Sequence, residues 1–353
     1  RDPVETGGTY YRLLPEGRLT NYDGVTIKVL PPKEGLDLNR NFPNEWKGEA
    51  EQSGSGPYPT SEPEVRAVVD FIIAHNNIGA TISFHTYSGV ILRPYASRAD
   101  DTFPPEDLWT YQKIGEKGTQ ISGYPNISIF HDFKYHPKQV ISGGFDWTYE
   151  HLGMFMWAVE IWAPMREAGI EDYKFIDWFR EHPVDDDLKI IQWVDRVVDD
   201  GFVDWYAYNH PELGEIEIGG IDFMRVWGNP PLEYLEEEVS KFTEWLTWQA
   251  LISPLLAVRD LSAERINQDT YKVRLVVENT GWLPTSVTER ARDKMTVRGG
   301  LCEIGSRVGG RGESGFSGVD GRLFVGGAGR AGALGVSAAR GAAGGRVWRG
   351  GGG

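Results

Sequence analysis

The sequence predicts an α/β fold over roughly its first 250 residues, and three stretches carry that prediction. SEPEVRAVVDFIIAHNN (61–77) reads as a helix, and ATISFHTYSG (80–89), which comes almost at once after it, reads as a buried strand. MFMWAVEIW (154–162) is a second apolar run of strand length. Helix-then-strand alternation of this kind predicts a sheet covered by helices on both faces.

Each element has its own signal. In 61–77, Ser61 and Glu64 stand at capping-box spacing, and Val65, Val68, Val69, Ile72 and Ile73 form one apolar stripe. PLEYLEEEVSKFTEWLTWQAL (231–251) is an amphipathic helix expected to turn Leu232, Leu235, Val239, Phe242 and Leu246 inward. TYKVRLVVENTGWLP (270–284) then alternates, with Tyr271, Val273, Leu275 and Val277 facing one way. With PLLAVRDLSAERI (254–266) before it, this reads as the start of a β-sandwich, cut short by a glycine-rich tail.

That tail is different in kind. From Gly299 onward it carries 21 of the 44 glycines, seven Arg, no Lys and three acidic residues. Such a stretch has no apolar period and is expected to be disordered, and its composition is one that a reading-frame slip in GC-rich DNA would produce. The expected organisation is an α/β domain over 1–250, the opening of a β-sandwich over 251–297, and a Gly/Arg-rich tail over 298–353.

Composition narrows the function. A net charge of −15 argues against nucleic acid or an anionic membrane as the main partner. The sequence contains no run of 18 apolar residues, so no membrane-spanning helix is expected. The one cysteine, Cys302, excludes an internal disulfide framework and a Cys-rich zinc site. No G-x-S-x-G elbow is present to support a serine hydrolase.

Four pieces of sequence could carry chemistry. In GLDLNRNFPNEW (35–46), Asn39 and Arg40 are adjacent; a guanidinium fork holds a carboxylate with two hydrogen bonds, and an amide adds another. Alone, Arg40 is as readily a loop arginine paired with Asp37. His85 lies near the end of a buried strand, where functional groups of α/β sheets emerge, although a lone core histidine is commonly just hydrogen-bonded. Glu160 is a single acid inside MFMWAVEIWAP; burying it is costly unless it is paired or its raised pKa is used, as by a general base. SGGFDWTY (142–149) is a Gly-rich turn into a helix.

Taken together, in this order and spacing, the four resemble the zinc carboxypeptidases of the M14 type. The resemblance runs from about Thr9 to Trp162 and, less specifically, to residue 250. It implies a mixed, mostly parallel sheet with helices on both faces. It also implies that His85 is a zinc ligand, that Glu160 is the catalytic base, and that Asn39 and Arg40 bind the C-terminal carboxylate of a peptide. Phe145, just before Asp146-Trp147, would line the side-chain pocket and suit apolar or aromatic C-terminal residues. One Zn²⁺ is the implied cofactor, peptide or protein C-termini are the implied substrate, and the reaction is exopeptidase hydrolysis.

The sequence also departs from the family. The other two zinc ligands come from a His-x-x-Glu motif upstream of the Asn-Arg pair, yet no histidine precedes His75, and none of the seven histidines has Glu three residues on. Two of three protein ligands are therefore missing, the chain resembles an N-terminally truncated member, and it is expected to be inactive as it stands. The family's carbonyl-polarising arginine has only Arg12 and Arg18 as nearby counterparts. Its mobile tyrosine falls at Gln139, with Tyr135 four residues earlier as the candidate replacement. His210 and Glu212 could be taken for ligands, but read better as a polar turn. The alternative is a non-catalytic module on the same fold that binds peptide C-termini through Arg40. Oligomeric state is not legible, and location is open, with secretion or a periplasmic site compatible with the resemblance.

Overall fold

A computed structural model describes residues 35–133, 144–171, 173–210, 214–267, 270–297, 300–304, 321–325 and 331–339. Its central sheet has four strands, β1 (Ala80–Thr86), β2 (Val90–Arg93), β3 (Asn126–Ser128) and β4 (Phe155–Ile161), in the order β1-β4-β2-β3. β1 runs parallel to β4 and β2 parallel to β3, whereas β2 is antiparallel to β4. The sheet is thus mixed and mostly parallel, as expected. β4 is continuously apolar from Phe155 to Val159 because both of its faces are covered, and all five residues are buried.

Helices α1 (Pro63–Ala74) and α2 (Pro105–Ser122) precede a short helix α3 (Gly144–Trp147), which continues as a wider turn to Leu152. After β4 come α4 (Pro164–Glu167), α5 (Phe175–Arg180) and α6 (Val184–Val197), then the hairpin β5 (Phe202–His210) and β6 (Gly214–Ile221), then α7 (Leu232–Leu251). Phe155 and Trp157 point to one face of the sheet, where they meet Tyr111 of α2 and Trp245 of α7. Thr81 points to the other face and hydrogen-bonds Thr148 at 2.9 Å. There the turn after α3 covers the sheet, and α1 packs on it through Val65, Val69 and Trp147.

Three local expectations are corrected. The capping box does not form: α1 begins after Glu62, and the Ser61 hydroxyl is taken up by Asn41 and Glu62 instead. The stripe of α1 is narrower than its sequence suggests, because it has one neighbour to cover. Val65 and Val69 are buried while Val68 and Ile73 are exposed. α7 is rotated relative to expectation: Glu238, Phe242, Trp245 and Gln249 face inward, while Leu232, Leu235, Val239 and Leu246 stay exposed. Trp245 has the larger apolar surface to bury, and Glu238 is tolerated inside because Tyr124 and Lys241 pair with it.

β7 (Leu256–Asn267) and β8 (Thr270–Asn279) form the expected antiparallel pair, and β8 alternates, with Lys272 and Arg274 exposed and Leu275 buried. The chain then returns to the first domain. Leu283 joins the main core, and α8 (Glu289–Asp293) docks on it, its backbone amides at 289 and 290 donating to Asp107 at 2.8 and 3.0 Å. In the glycine-rich tail, expected to be without structure, the described residues include strands β9 (Gly300–Ile304), β10 (Gly321–Val325) and β11 (Ala331–Ala339); β9 pairs with β10, and β11 with β8.

Candidate functional site

The parallel register of β1 and β4 sets His85 directly opposite Glu160. Paired residues on adjacent strands share a face of the sheet about 5 Å apart, so these two side chains emerge together. Their face is the one opposite α2 and α7, since Phe84 and Val159, their neighbours in sequence, lie on the covered side, Phe84 against Phe242 of α7. The His85 Nε2 atom sits 2.8 Å from the hydroxyl of Ser83, two residues back on the same face.

Asn39 and Arg40 lie in a single helical turn, Leu38–Arg40, capped by the Asp37 carboxylate, which accepts from the Asn39 amide at 3.0 Å. The next residue anchors this loop. Asn41 is fully buried; its amide nitrogen donates to the Ser55 and Tyr58 carbonyls at 2.7 and 3.0 Å, and its oxygen accepts from Glu62 N at 3.1 Å. Gly56, at φ +75°, lets the loop close over Asn41, where a Cβ would come within 2.8 Å of the Asn41 nitrogen. Arg40 is thereby held near the sheet. One of its terminal nitrogens, Nη2, pairs with Asp37 at 3.6 Å; the other, Nη1, is buried with no hydrogen-bond partner among the described residues.

Electrostatics joins the three groups. Burial pushes the Glu160 carboxyl up to about 8, and the Arg40 charge draws it back in part. Burial lowers the His85 pKa, the Arg40 charge lowers it further, and Asp37 opposes both. An imidazole held below its ordinary pKa, a carboxyl held well above its own, and a buried guanidinium nitrogen with no hydrogen-bond partner among the described residues therefore lie within electrostatic reach of one another. Such a set can hold an anion at the guanidinium and exchange a proton at the carboxyl.

The other candidates fall elsewhere. Phe145 lies in α3, with its side chain outside the description. Tyr135, Gln139, Arg12, Arg18 and Glu212 lie outside the described residues, and His210 ends β5. Sequence reasoning missed Ser83, which an i−2 position on the strand face would have signalled, and Asn41, whose anchoring role rests on contacts 14 to 21 residues away.

Zinc requires three protein ligands in sites of the implied kind. Among the described residues, no group of three His, Cys, Asp or Glu side chains could hold a metal. The described residues by themselves do not make a zinc site.

A zinc carboxypeptidase family model matches residues 11–177, which include all four motifs. A second model, a domain of unknown function (DUF8731), matches residues 255–315 and so crosses the position where the tail was expected to begin. Human carboxypeptidase A5 is 39% identical over 85 residues, 22% of this chain and 20% of that protein. Bovine carboxypeptidase B2 is 47% identical over 78 residues, 19% of this chain and 18% of its own length. Mouse carboxypeptidase A1 is 28% identical over 152 residues, 39% of this chain and 33% of its own. The matched stretches thus span about a fifth to a third of these relatives. The fold is a mixed α/β sheet with an acid and a histidine side by side at its strand ends, and the stretch matched by the carboxypeptidase model contains both. Over residues 11–177 the chain is similar to the zinc carboxypeptidase family.

Proposed function

We propose that this region is the carboxylate-binding and proton-transfer part of a zinc-dependent exopeptidase acting on peptide C-termini. The observation that carries the reading is the register pairing of His85 with Glu160, with the Arg40 charge acting on both. Arg40 and Asn39 bind the substrate's terminal carboxylate, and the buried Nη1 of Arg40, with no partner among the described residues, is the donor for it. That contact fixes the last peptide bond relative to Glu160, which gives the reaction its exopeptidase character. Glu160 takes a proton from the attacking water and returns it to the leaving amine. A carboxyl with its pKa near 8 accepts a proton readily at neutral pH once it is ionised.

His85 is the zinc ligand in this reading, and the metal supplies acidification of the water when bound. It needs two more ligands than the described residues offer. Phe145 favours apolar or aromatic terminal residues, and Tyr135 covers the substrate. A second reading rests on the Arg40 donor alone, which needs no metal: a module that binds peptide C-termini through Arg40 without cutting them.

Calorimetry and product analysis separate the two. The full chain would be titrated with a peptide ending in Phe, with its C-terminal amide, and with the same peptide plus added Zn²⁺. Weaker binding of the amide by about tenfold or more, with the same loss in Arg40→Ala, supports the carboxylate clamp. Zinc-dependent release of free Phe that Glu160→Gln abolishes supports the peptidase; binding without release, which a region lacking two zinc ligands also gives, supports the carboxylate clamp that the two readings share. Equal binding of acid and amide refutes both.

A further inference from the structure

α7 turns a carboxylate into the protein interior, where the sequence offered leucines for the same helix. Glu238 is 3% exposed and far from the candidate site in sequence, yet its hydrogen bonds lead back to that site. One of its oxygens pairs with Lys241, and the other accepts the hydroxyl proton of Tyr124, which is itself fully buried. A tyrosine has one proton to give. Because that proton goes to Glu238, the Tyr124 oxygen is left as an acceptor, and it receives the backbone N–H of Trp162 at 2.9 Å. The guanidinium of Arg166 stacks 4.7 Å from the centre of the Tyr124 ring and donates to the Gly89 carbonyl at 2.9 Å, closing the same corner from the other side.

Trp162 is the residue immediately after β4 and two residues after Glu160. Its φ is +76°, a conformation that a bulky residue rarely adopts. Such a conformation persists only where the surroundings fix it from several directions. Here the amide is held by Tyr124, the carbonyl accepts from Ser88 N at 2.7 Å, and the indole donates to the Val226 carbonyl at 2.7 Å. Ser88 lies three residues beyond His85, so the Trp162–Ser88 contact continues the register that sets His85 beside Glu160. A turn of the chain at Trp162 therefore defines where β4 stops and which way Glu160 is presented.

We propose that Glu238 and Tyr124 are positioning residues for Glu160. The buried carboxylate of α7 orients the Tyr124 hydroxyl, the hydroxyl oxygen pins the Trp162 amide, and the pinned turn holds Glu160 beside His85. The inference rests on the reading of Glu160 as the working acid. It accounts for an inward Glu on α7 at a place where an apolar residue would pack at lower cost.

The test reads the site without substrate or metal, so its failure is distinct from failure of the peptidase reading. The full chain, labelled with ¹³C in its Glu carboxyls and His rings and with ¹⁵N in its amides, is compared with Tyr124→Phe by NMR. Glu160 and His85 signals are assigned from Glu160→Gln and His85→Gln. The expected result is at least a tenfold loss of exchange protection at the Trp162 amide, together with displaced Glu160 and His85 signals, while the far-UV CD stays native. Lost protection with both signals unmoved would make the contact merely structural and overturn the proposal, as would unchanged protection. If Tyr124→Phe does not fold, Glu238→Gln answers the same question. Its amide can donate to the Tyr124 oxygen and reverse the hydroxyl, so the same displacements are expected, and native-like Glu160 and His85 signals in that variant overturn the proposal.

Discussion

Asp146 is expected to make the protein less stable as the pH rises, and Asp146→Asn should remove that dependence. The side chain is 2% exposed. One oxygen accepts from Ala96 N at 2.8 Å, and the other is buried with no hydrogen-bond partner among the described residues. Burial pushes its pKa up to about 7; the Ala96 hydrogen bond opposes this, the charge of Glu45 adds to it, and that of Arg98 opposes it. In the unfolded chain the group ionises near pH 4. The folded state thus holds the proton more tightly, and the stability it gains from doing so is complete below pH 4 and lost as the pH rises through about 7. A rise of roughly three units, at about 1.4 kcal/mol each, sets the full effect near 4 kcal/mol, of which about 2–3 kcal/mol falls between pH 5 and pH 8. Urea unfolding of both proteins at pH 5, 6.5 and 8, monitored by tryptophan fluorescence, measures it. Glu160 titrates in the same direction in both proteins, so the difference between them isolates Asp146. Asparagine keeps the acceptor for Ala96 and offers an N–H where the free oxygen stood. The variant should match the wild type at pH 5 and exceed it at pH 8. Parallel pH profiles would refute the reasoning, because Asp146 would then be ionised in the folded protein with a partner for its second oxygen.

Other contacts carry their own expected outcomes. Asp107 accepts from the Tyr149 hydroxyl and from the amides that open α8, so Asp107→Ala leaves buried donors without a partner. A loss of about 2–4 kcal/mol is expected in urea unfolding, with faster proteolysis near residue 289. Trp245 is fully buried against Trp157, and Trp245→Ala should cost about 3–5 kcal/mol by the same assay, whereas Leu232→Ala on the same helix, at 84% exposure, should cost less than about 0.5 kcal/mol. Gly153 combines φ +72° with close packing under Ala291, so a Cβ there collides with α8. Gly153→Ala should lower the thermal midpoint by several degrees and expose the 283–296 segment to hydrogen exchange.

Local sequence alone was enough for the α/β class, because a helix at 63–74 with an apolar strand at 80–86 directly after it has few other ways to bury its surface. It also singled out Asn39, Arg40, His85 and Glu160 as candidates, since polar residues inside apolar or Gly/Pro-bounded runs stand out locally. Their meeting was a matter of tertiary structure. The parallel register places His85 opposite Glu160 across 75 residues of chain, and a shift by one residue would turn one of them to the covered face. The rotation of α7 was decided in the same way. Its leucines repeat at helical spacing, and only the neighbours of Trp245 and Glu238 determine which side is inside. The return of α8 to Asp107 had no local signal, because a carboxylate that caps a helix 182 residues away is identified by proximity in space alone. Periodicity along a chain reports which residues can share a surface; the packing partner decides which surface is buried, and that partner is supplied by the rest of the fold.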